Sequence, residues 1–294
     1  MEPTSSKEHW RIGDIIRAPG KLVLAGEYAV LDGAPAVVLA INRGVECEIA
    51  KGHGFSTPMN DTRFIEHARS LSNRHKLIFR DWNPVTSIPY GQKPGFGGSG
   101  SACVIATRLM DMPWSKALQI HHQVQGGGSG IDVKASILGG MFIWEPIEER
   151  TQALRPFHPV VVWTGESAKT GPRVQQYLHY ENREWFVRNS IRFTQLFLEN
   201  PIKGTKALYK NLTLMSRETG LPYLTQNIEM LVRWATECGG AAKPSGAGGG
   251  DCVIAFFEEP EQQRLFIERI DAHPIFSQID YEVSEGVHVV KSRG

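Results

Sequence analysis

Three glycine-bearing loops each stand beside a side chain suited to moving a phosphoryl group. Gly95-Phe96-Gly97-Gly98-Ser99-Gly100-Ser101 precedes a helix-forming run, so its amides and the positive end of that helix point at one spot, an anion site. Gly126 to Gly130 leads into Ile131-Asp132 and puts a carboxylate at the start of another helix. Asp132 can simply charge that first turn. It can also orient or deprotonate an attacking oxygen, while Lys21, in Ala18-Pro19-Gly20-Lys21, supplies a cation for developing charge. Gly246, Gly248, Gly249 and Gly250 crowd a third loop ahead of the apolar run Cys252–Phe257, and such loops commonly wrap phosphate. One loop of this kind is as readily a surface turn. Three read as a small-molecule kinase.

Two rival phosphate-binding patterns fare worse. Gly95 to Gly100 fits G-x-G-x-x-G, but Lys93-Pro94 breaks the strand that a dinucleotide site needs before the loop. No Walker A sequence (GxxxxGK[ST]) is present, so a nucleotide site here is not of the P-loop type.

The elements that position these loops alternate strands and helices. Lys21–Ala25, Ala36–Ile41 and Val45–Ala50 read as short strands, with Asp32-Gly33 as a hairpin signal. A helix is expected over 60–72, a strand over Lys76–Trp82, a buried helix over Ala102–Met110, and a second opening at Pro113 and running to Val124. Met141–Trp144 and Pro159–Thr164 read as strands, and Arg173–Leu198 as one long helix or two. Helices over 224–238 and 260–271, the strand at 252–257 and a last strand near 286–291 complete a βαβ-like alternation in the second half.

Composition narrows the class further. The 294 residues allow one large domain or two ordinary ones, with 41% hydrophobic and 21% charged residues. A net charge of +1 gives no field to draw in nucleic acid or an anionic membrane. No apolar run approaches the ~20 residues of a membrane span, and the polar start MEPTSSKEHWRIGD lacks the apolar stretch of a signal peptide. Cys47, Cys103, Cys238 and Cys252 form no CxxC pair and suit buried free thiols in a reducing compartment. A cytoplasmic protein, monomer or homodimer, with small-molecule partners is expected.

Taken together, APGKLVLAGEYAVLDGAPAV at 18–37, PGFGGSGSACV at 94–104 and KPSGAGGGDCVIAFF at 243–257 resemble the three motifs of the GHMP kinases. That superfamily holds galactokinase, homoserine kinase, mevalonate kinase and phosphomevalonate kinase. The details look most like the bacterial phosphomevalonate kinases: GEYAVL in the first motif, GGSGS in the second, QGGGSGIDVKASILGG at 125–140, VVVWTGESAKTGPRVQQ at 160–176, and Asp251 after the third motif's glycines.

The resemblance implies an α+β, two-lobed fold. Residues 1–150 would form an ATP-binding lobe like ribosomal protein S5 domain 2, and 151–294 a ferredoxin-like lobe. It implies ATP and Mg2+, with Gly95, Gly97, Gly98, Ser99, Gly100, Ser101 and Ala102 around the ATP phosphates and Ser99 also on the metal. Lys21 and Asp132 would be catalytic. Lys21, Tyr28, Ser129, Gly130, Ser245, Gly246, Ala247 and Gly248 would line the acceptor side. The implied reaction is ATP-dependent conversion of (R)-5-phosphomevalonate to 5-diphosphomevalonate, on the mevalonate route to isoprenoids. Alternatives are a mevalonate kinase or other GHMP small-molecule kinase, a diphosphomevalonate decarboxylase, and a non-catalytic ATP or metabolite sensor.

Three departures from the family pattern stand out. Gly98 replaces a serine, the segment between 50 and 94 is short enough to reduce the nucleobase pocket, and Gln125 stands near where mevalonate kinases carry a metal-binding glutamate. Lys93, Arg43, Lys134, Lys169 and Arg173 are candidates for the acceptor's phosphate. His121-His122 reads as a solvated or capping pair at a helix end rather than a metal site, and the seven tryptophans as packing.

Overall fold

Alternation in the first fifty residues builds two long strands rather than three short ones. A computed structural model describes residues 10–59, 61–89, 91–168 and 170–291. In it β1 (Ile15–Ala25) and β2 (Ala36–Ala50) pair antiparallel, with register shifts at Ala18/Gly20 and Val23/Ala25. Between them a short 3-10 turn over Ala29–Asp32 ends at Gly33, whose φ of 87° is open to glycine at little cost. Side chains alternate across β1: Leu22 and Leu24 enter one core cluster, while Val23 enters another on the opposite face with Ile131 and Ala135.

The expected helix over 60–72 is instead two 3-10 turns, Thr62–Phe64 and Glu66–Ala68, followed by one helical turn, α1 (Arg69–Ser72). Asp61 accepts from Arg63 N at 3.0 Å and closes the first turn tightly, so a continuous helix never starts. The flanking strands are β3 (Gly54–Ser56) and β4 (Lys76–Trp82). Then come α2 (Gly98–Leu109), α3 (Trp114–Gln125), α4 (Ile131–Leu138), β5 (Met141–Glu145) and β6 (Arg150–Leu154).

The rest of the chain runs β7 (Val160–Trp163), α5 (Thr170–Leu178), α6 (Arg183–Glu199), α7 (Pro201–Thr219), α8 (Gln226–Glu237), β8 (Ala241–Pro244), β9 (Cys252–Phe256), α9 (Pro260–Asp271), β10 (Ser277–Gln278) and β11 (His288–Val290). Helix α7 has no counterpart in the sequence reading. Its start is well marked: Asn200 accepts from Lys203 N at 2.9 Å, and Pro201 opens the helix.

The first sheet has the order β11-β1-β2-β4-β3, with β5 pairing both β2 and β6; the second has the order β10-β7-β9-β8. Apart from β3 with β4, every pairing is antiparallel. The fold is α+β and two-lobed. Strand β11 departs from expectation, because it returns to the first sheet and sets Val289 against Ile16 of β1 instead of extending the second. One shared core joins the sheets: Leu22, Leu24, Leu39 and Ile41 pack with Val161, Trp163, Ile254 and Phe256. Cys47, Cys103, Cys238 and Cys252 are all buried free thiols. Among the described residues no helix is long and apolar enough to cross a membrane.

Candidate active site

Lys21 sits just after the register shift at Ala18/Gly20 in β1. Two buried hydroxyls hold that irregularity, since Ser101 on α2 and Ser136 on α4 both donate to Pro19 O at 2.8 Å. The Lys21 amide donates to Phe96 O at 2.9 Å, and its ammonium to Gly95 O at 2.8 Å. Strand β1 and the 95–101 glycine loop are thereby held against each other around one cation.

Helix α2 begins at Gly98, with Gly97 left-handed at φ 79° as its cap. Ser101 N reaches back to Gly97 O at 3.2 Å, so the Gly98, Ser99 and Gly100 amides are the first-turn donors without an intrahelical acceptor. Amide donors of this kind at a helix start suit an anion. Ser101 and Ala102 are buried, and the Ser101 hydroxyl donates to Pro19 O and contacts Ser136 Oγ at 3.1 Å. The segment before the loop is irregular rather than a strand, so the dinucleotide pattern lacks its scaffold.

Asp132 lies in the first turn of α4, against the α2 start. A Cβ on Gly97 would stand 2.8 Å from Asp132 Cβ, and one on Gly100 2.8 Å from Asp132 Cγ. Only glycine lets the carboxylate come this close to the amides. The ion pair Asp132 makes is with His121, whose Nε2 is 3.1 Å from Oδ2, while Oδ1 accepts from Val133 N at 3.0 Å. Burial alone would raise its pKa, but the His121 hydrogen bond and the charges of His121 and Lys21 outweigh burial and hold the carboxyl below its usual range. Asp132 is therefore ionised at neutral pH.

His121 is a correction to the sequence reading. Far from being solvated, its side chain is 2% exposed, and the same Nε2 also lies 3.3 Å from Ser99 Oγ. One signal pointed inward: His121 follows the buried Ala117 by four residues, on the same face of α3. His122, by contrast, is half-buried near Gly130, with Nε2 3.3 Å from where a Gly130 Cβ would stand. Ser129 is half-buried on the loop entering α4.

The third loop closes the site from the second sheet. A Cβ on Gly246 would stand 3.6 Å from Lys21 Nζ. Tyr28 Oη donates to Ala247 O at 2.6 Å, and Ser245 Oγ accepts from Val23 N at 2.9 Å, pinning the loop to β1. Gly248 packs on the Tyr223 ring. Burial keeps the Tyr28 phenol protonated. Tyr28 and Asp251 both hold positive φ, 59° and 56°, a conformation that costs non-glycine residues and here bends the chain toward the site. Asp251 accepts from Ala168 N at 2.8 Å and packs on Gly95; burial raises its pKa, against the hydrogen bond and the charges of Lys21 and Arg173.

Of the basic residues considered for an acceptor phosphate, Arg173 stands beside this site. Its Nη2 donates to Gly249 O at 3.3 Å, and its charge acts on Tyr28 and Asp251. Arg43 is occupied by the carbonyls of Asp280 and Asn83, both at 2.7 Å, and the Lys134 ammonium lies 4.4 Å over the Trp144 ring. The backbone of Lys93 is tied to Ser167 Oγ. Lys169 lies outside the described residues.

The donors present fit magnesium of one kind. No group of three His, Cys, Asp or Glu able to hold a metal occurs among the described residues, and Gln125 is exposed. The Ser99 hydroxyl and the Asp132 carboxylate do flank the α2 N-terminus. Two hard oxygens of this kind suit magnesium carried on phosphates and still partly hydrated, not a resident cage.

Fold and site together define a two-lobed α+β kinase built on glycine loops. Residues 199–275 match the family model described as GHMP kinases C terminal. The chain is 25% identical to the phosphomevalonate kinase of Streptomyces sp. (strain CL190) over 82% of its own length and 89% of the relative's. It is 24% identical to the mevalonate kinase of Archaeoglobus fulgidus over 86% of its length and 95% of that protein's. The solved phosphomevalonate kinase of Streptococcus pneumoniae, in complex with phosphomevalonate and AMPPNP, superposes with a TM-score of 0.68 at 22% identity, covering 92% of this chain and 99% of that one. The chain is thus similar to GHMP kinases, by the family model over its C-terminal part and by these relatives over most of its length.

Proposed function

We propose that this protein uses ATP to phosphorylate a small anionic acceptor, (R)-5-phosphomevalonate, forming 5-diphosphomevalonate. In this reading the lobe of residues 1–150 takes the nucleotide, and 151–294 completes the acceptor side. The observation that carries the proposal is the cation set. Lys21 lies between the 95–101 and 246–250 loops, with its charge acting on Asp132, and Arg173 on α5, bonded to Gly249 of the third loop, adds a second positive charge where an acceptor would enter.

The Gly98, Ser99 and Gly100 amides, with Gly95, Gly97, Ser101 and Ala102 shaping the loop, would hold the ATP phosphates. Magnesium held by Ser99 and Asp132 would offset charge on the transferred group. Ionised Asp132 would orient the attacking oxygen. A phosphate oxygen is already mostly deprotonated near neutral pH, so a carboxylate of low pKa loses little as a base, and cations that relieve repulsion between two anions matter more. Lys21 would bridge acceptor and γ-phosphate. Tyr28, Ser129, Gly130 and the 245–248 loop would shape the acceptor pocket, with the Ser245 hydroxyl spent on β1.

A second reading, mevalonate kinase, draws support from the division among curated relatives, which carry both activities at similar identity. A sensor without catalysis is disfavoured by the presence of Lys21, Ser99 and Asp132 together. Purified protein given ATP and magnesium with mevalonate or phosphomevalonate separately, with ADP release followed, decides between them. Turnover on phosphomevalonate supports the proposal. Turnover on mevalonate alone overturns it.

A further inference from the structure

His121 has a place in the site that neither composition nor motif assigns. Its imidazole is buried, and its ring lies 5.2 Å from that of Phe64, tilted by 37°. Nδ1 is buried with no hydrogen-bond partner, while Nε2 lies 3.1 Å from Asp132 Oδ2 and 3.3 Å from Ser99 Oγ. An ionised carboxylate only accepts, so the proton must be on Nε2. A side chain with one nitrogen orphaned in an apolar setting is a poor choice for packing alone, because an aliphatic residue would fill the space without that loss. What the imidazole adds is one N–H aimed at two oxygens, on α4 and on α2. Both border the amides of the α2 N-terminus.

We infer that His121 is the positioning residue of this site: its Nε2–H, on a buried ring packed against Phe64, fixes the Asp132 carboxylate and the Ser99 hydroxyl in the geometry for phosphoryl transfer. This rests on the reading of Asp132 as catalytic. With the hydrogen bond gone, Asp132 keeps its Val133 amide but loses the anchor on Oδ2 and can rotate away from the acceptor. A misplacement of about 1 Å at such a group costs on the order of 10²-fold in rate.

The test compares His121→Leu, His121→Gln, Asp132→Asn and the Leu/Asn double variant in steady-state assays with ATP, magnesium and phosphomevalonate. Thermal melts check folding. The expected result is a kcat loss of about 10²-fold for His121→Leu with KM for both substrates little changed, and substantial recovery in His121→Gln, whose amide N–H lies near the place of Nε2. The double variant should be no slower than Asp132→Asn, because the two residues act through one carboxylate. Independently of activity, long-range 1H–15N spectra of the wild type should show the His121 proton on Nε2, with an altered signature in Asp132→Asn.

If Asp132→Asn loses activity while folded His121→Leu keeps it, the inference is wrong and the kinase reading stands. Normal activity in Asp132→Asn would overturn the reading and the inference with it. A folded His121→Gln no better than His121→Leu also overturns the inference. Should His121→Leu fail to fold, His121→Gln and the spectra decide: near-normal kcat and an Nε2 proton uphold it, and an Nε2 without a proton overturns it.

Discussion

Lys243 on β8 forms an ion pair with Glu27, which follows β1, and both side chains are sealed from solvent, at 0% and 1% exposure. The ammonium also donates to Val23 O on β1 at 3.5 Å, so the third motif is tied to the first through the interior between the two sheets. Burial pulls the Lys243 pKa below its ordinary value, and Glu27 works against that pull. Removing one partner of such a pair leaves a buried charge uncompensated and costs about 3–5 kcal/mol. Glu27→Ala should therefore lower stability to chemical denaturation by that amount, and Glu27→Ala with Lys243→Met should recover much of it. A single variant as stable as the wild type would contradict the pair's role.

Lys21→Ala should harm kcat on phosphomevalonate at least as much as Asp132→Asn. If phosphomevalonate is the acceptor, charge relief matters more than a base, and each loss should reach about 10²-fold, roughly 2.7 kcal/mol of barrier. Nucleotide binding, measured by calorimetry, should survive in both because the α2 amides remain. Near-normal kcat in Lys21→Ala would rule out the electrostatic account.

Arg173→Ala separates the two acceptor readings. If Arg173 meets the acceptor's phosphate, the substitution should raise KM for phosphomevalonate by about 10-fold or more, the loss of roughly one charge-assisted hydrogen bond. KM for ATP should stay unchanged. Equal effects on both substrates would point to collapse of the loop that Arg173 braces through Gly249.

Gly100→Ala sets helix stability against function. Alanine is favoured over glycine inside a helix by about 1 kcal/mol, yet its Cβ would stand 2.8 Å from Asp132 Cγ. The melting temperature should hold while kcat falls by about 10-fold or more as the carboxylate is displaced. An unchanged kcat would show that Asp132 has room to move without consequence.

Asp251→Asn should change the pH dependence of stability. Burial raises the Asp251 pKa in the folded state, so folding favours its protonated form, and ionised Asp251 opposes folding above its folded pKa. Asparagine keeps the acceptor for Ala168 N and tolerates the positive φ. The variant should melt higher than wild type at neutral pH, with the gain shrinking as pH falls through the raised folded pKa and vanishing below the unfolded value of about 3.9. A gain that is constant with pH would exclude ionisation as its cause.

The amino-acid sequence by itself determined the loops and the groups they carry. Glycines at 95–100 and 246–250 mark close approaches of backbone to charge, and Lys21, Ser99 and Asp132 sit at fixed offsets from them, so local chemistry was enough to name them. It also announced most strands and helices, because their periods are local. Tertiary structure alone decided His121. A histidine near a helix end looks solvated until Phe64, from a segment whose 3-10 turns the pattern missed, and Asp132, from another helix, close over it. The same holds for Lys243, whose burial depends on Glu27 more than two hundred residues away in sequence, at a separation of 216. Strand β11 likewise found its partner in β1, a pairing no local pattern specifies. Local propensity acts over a few residues, whereas burial, ionisation and strand partnership are set by which distant surfaces meet.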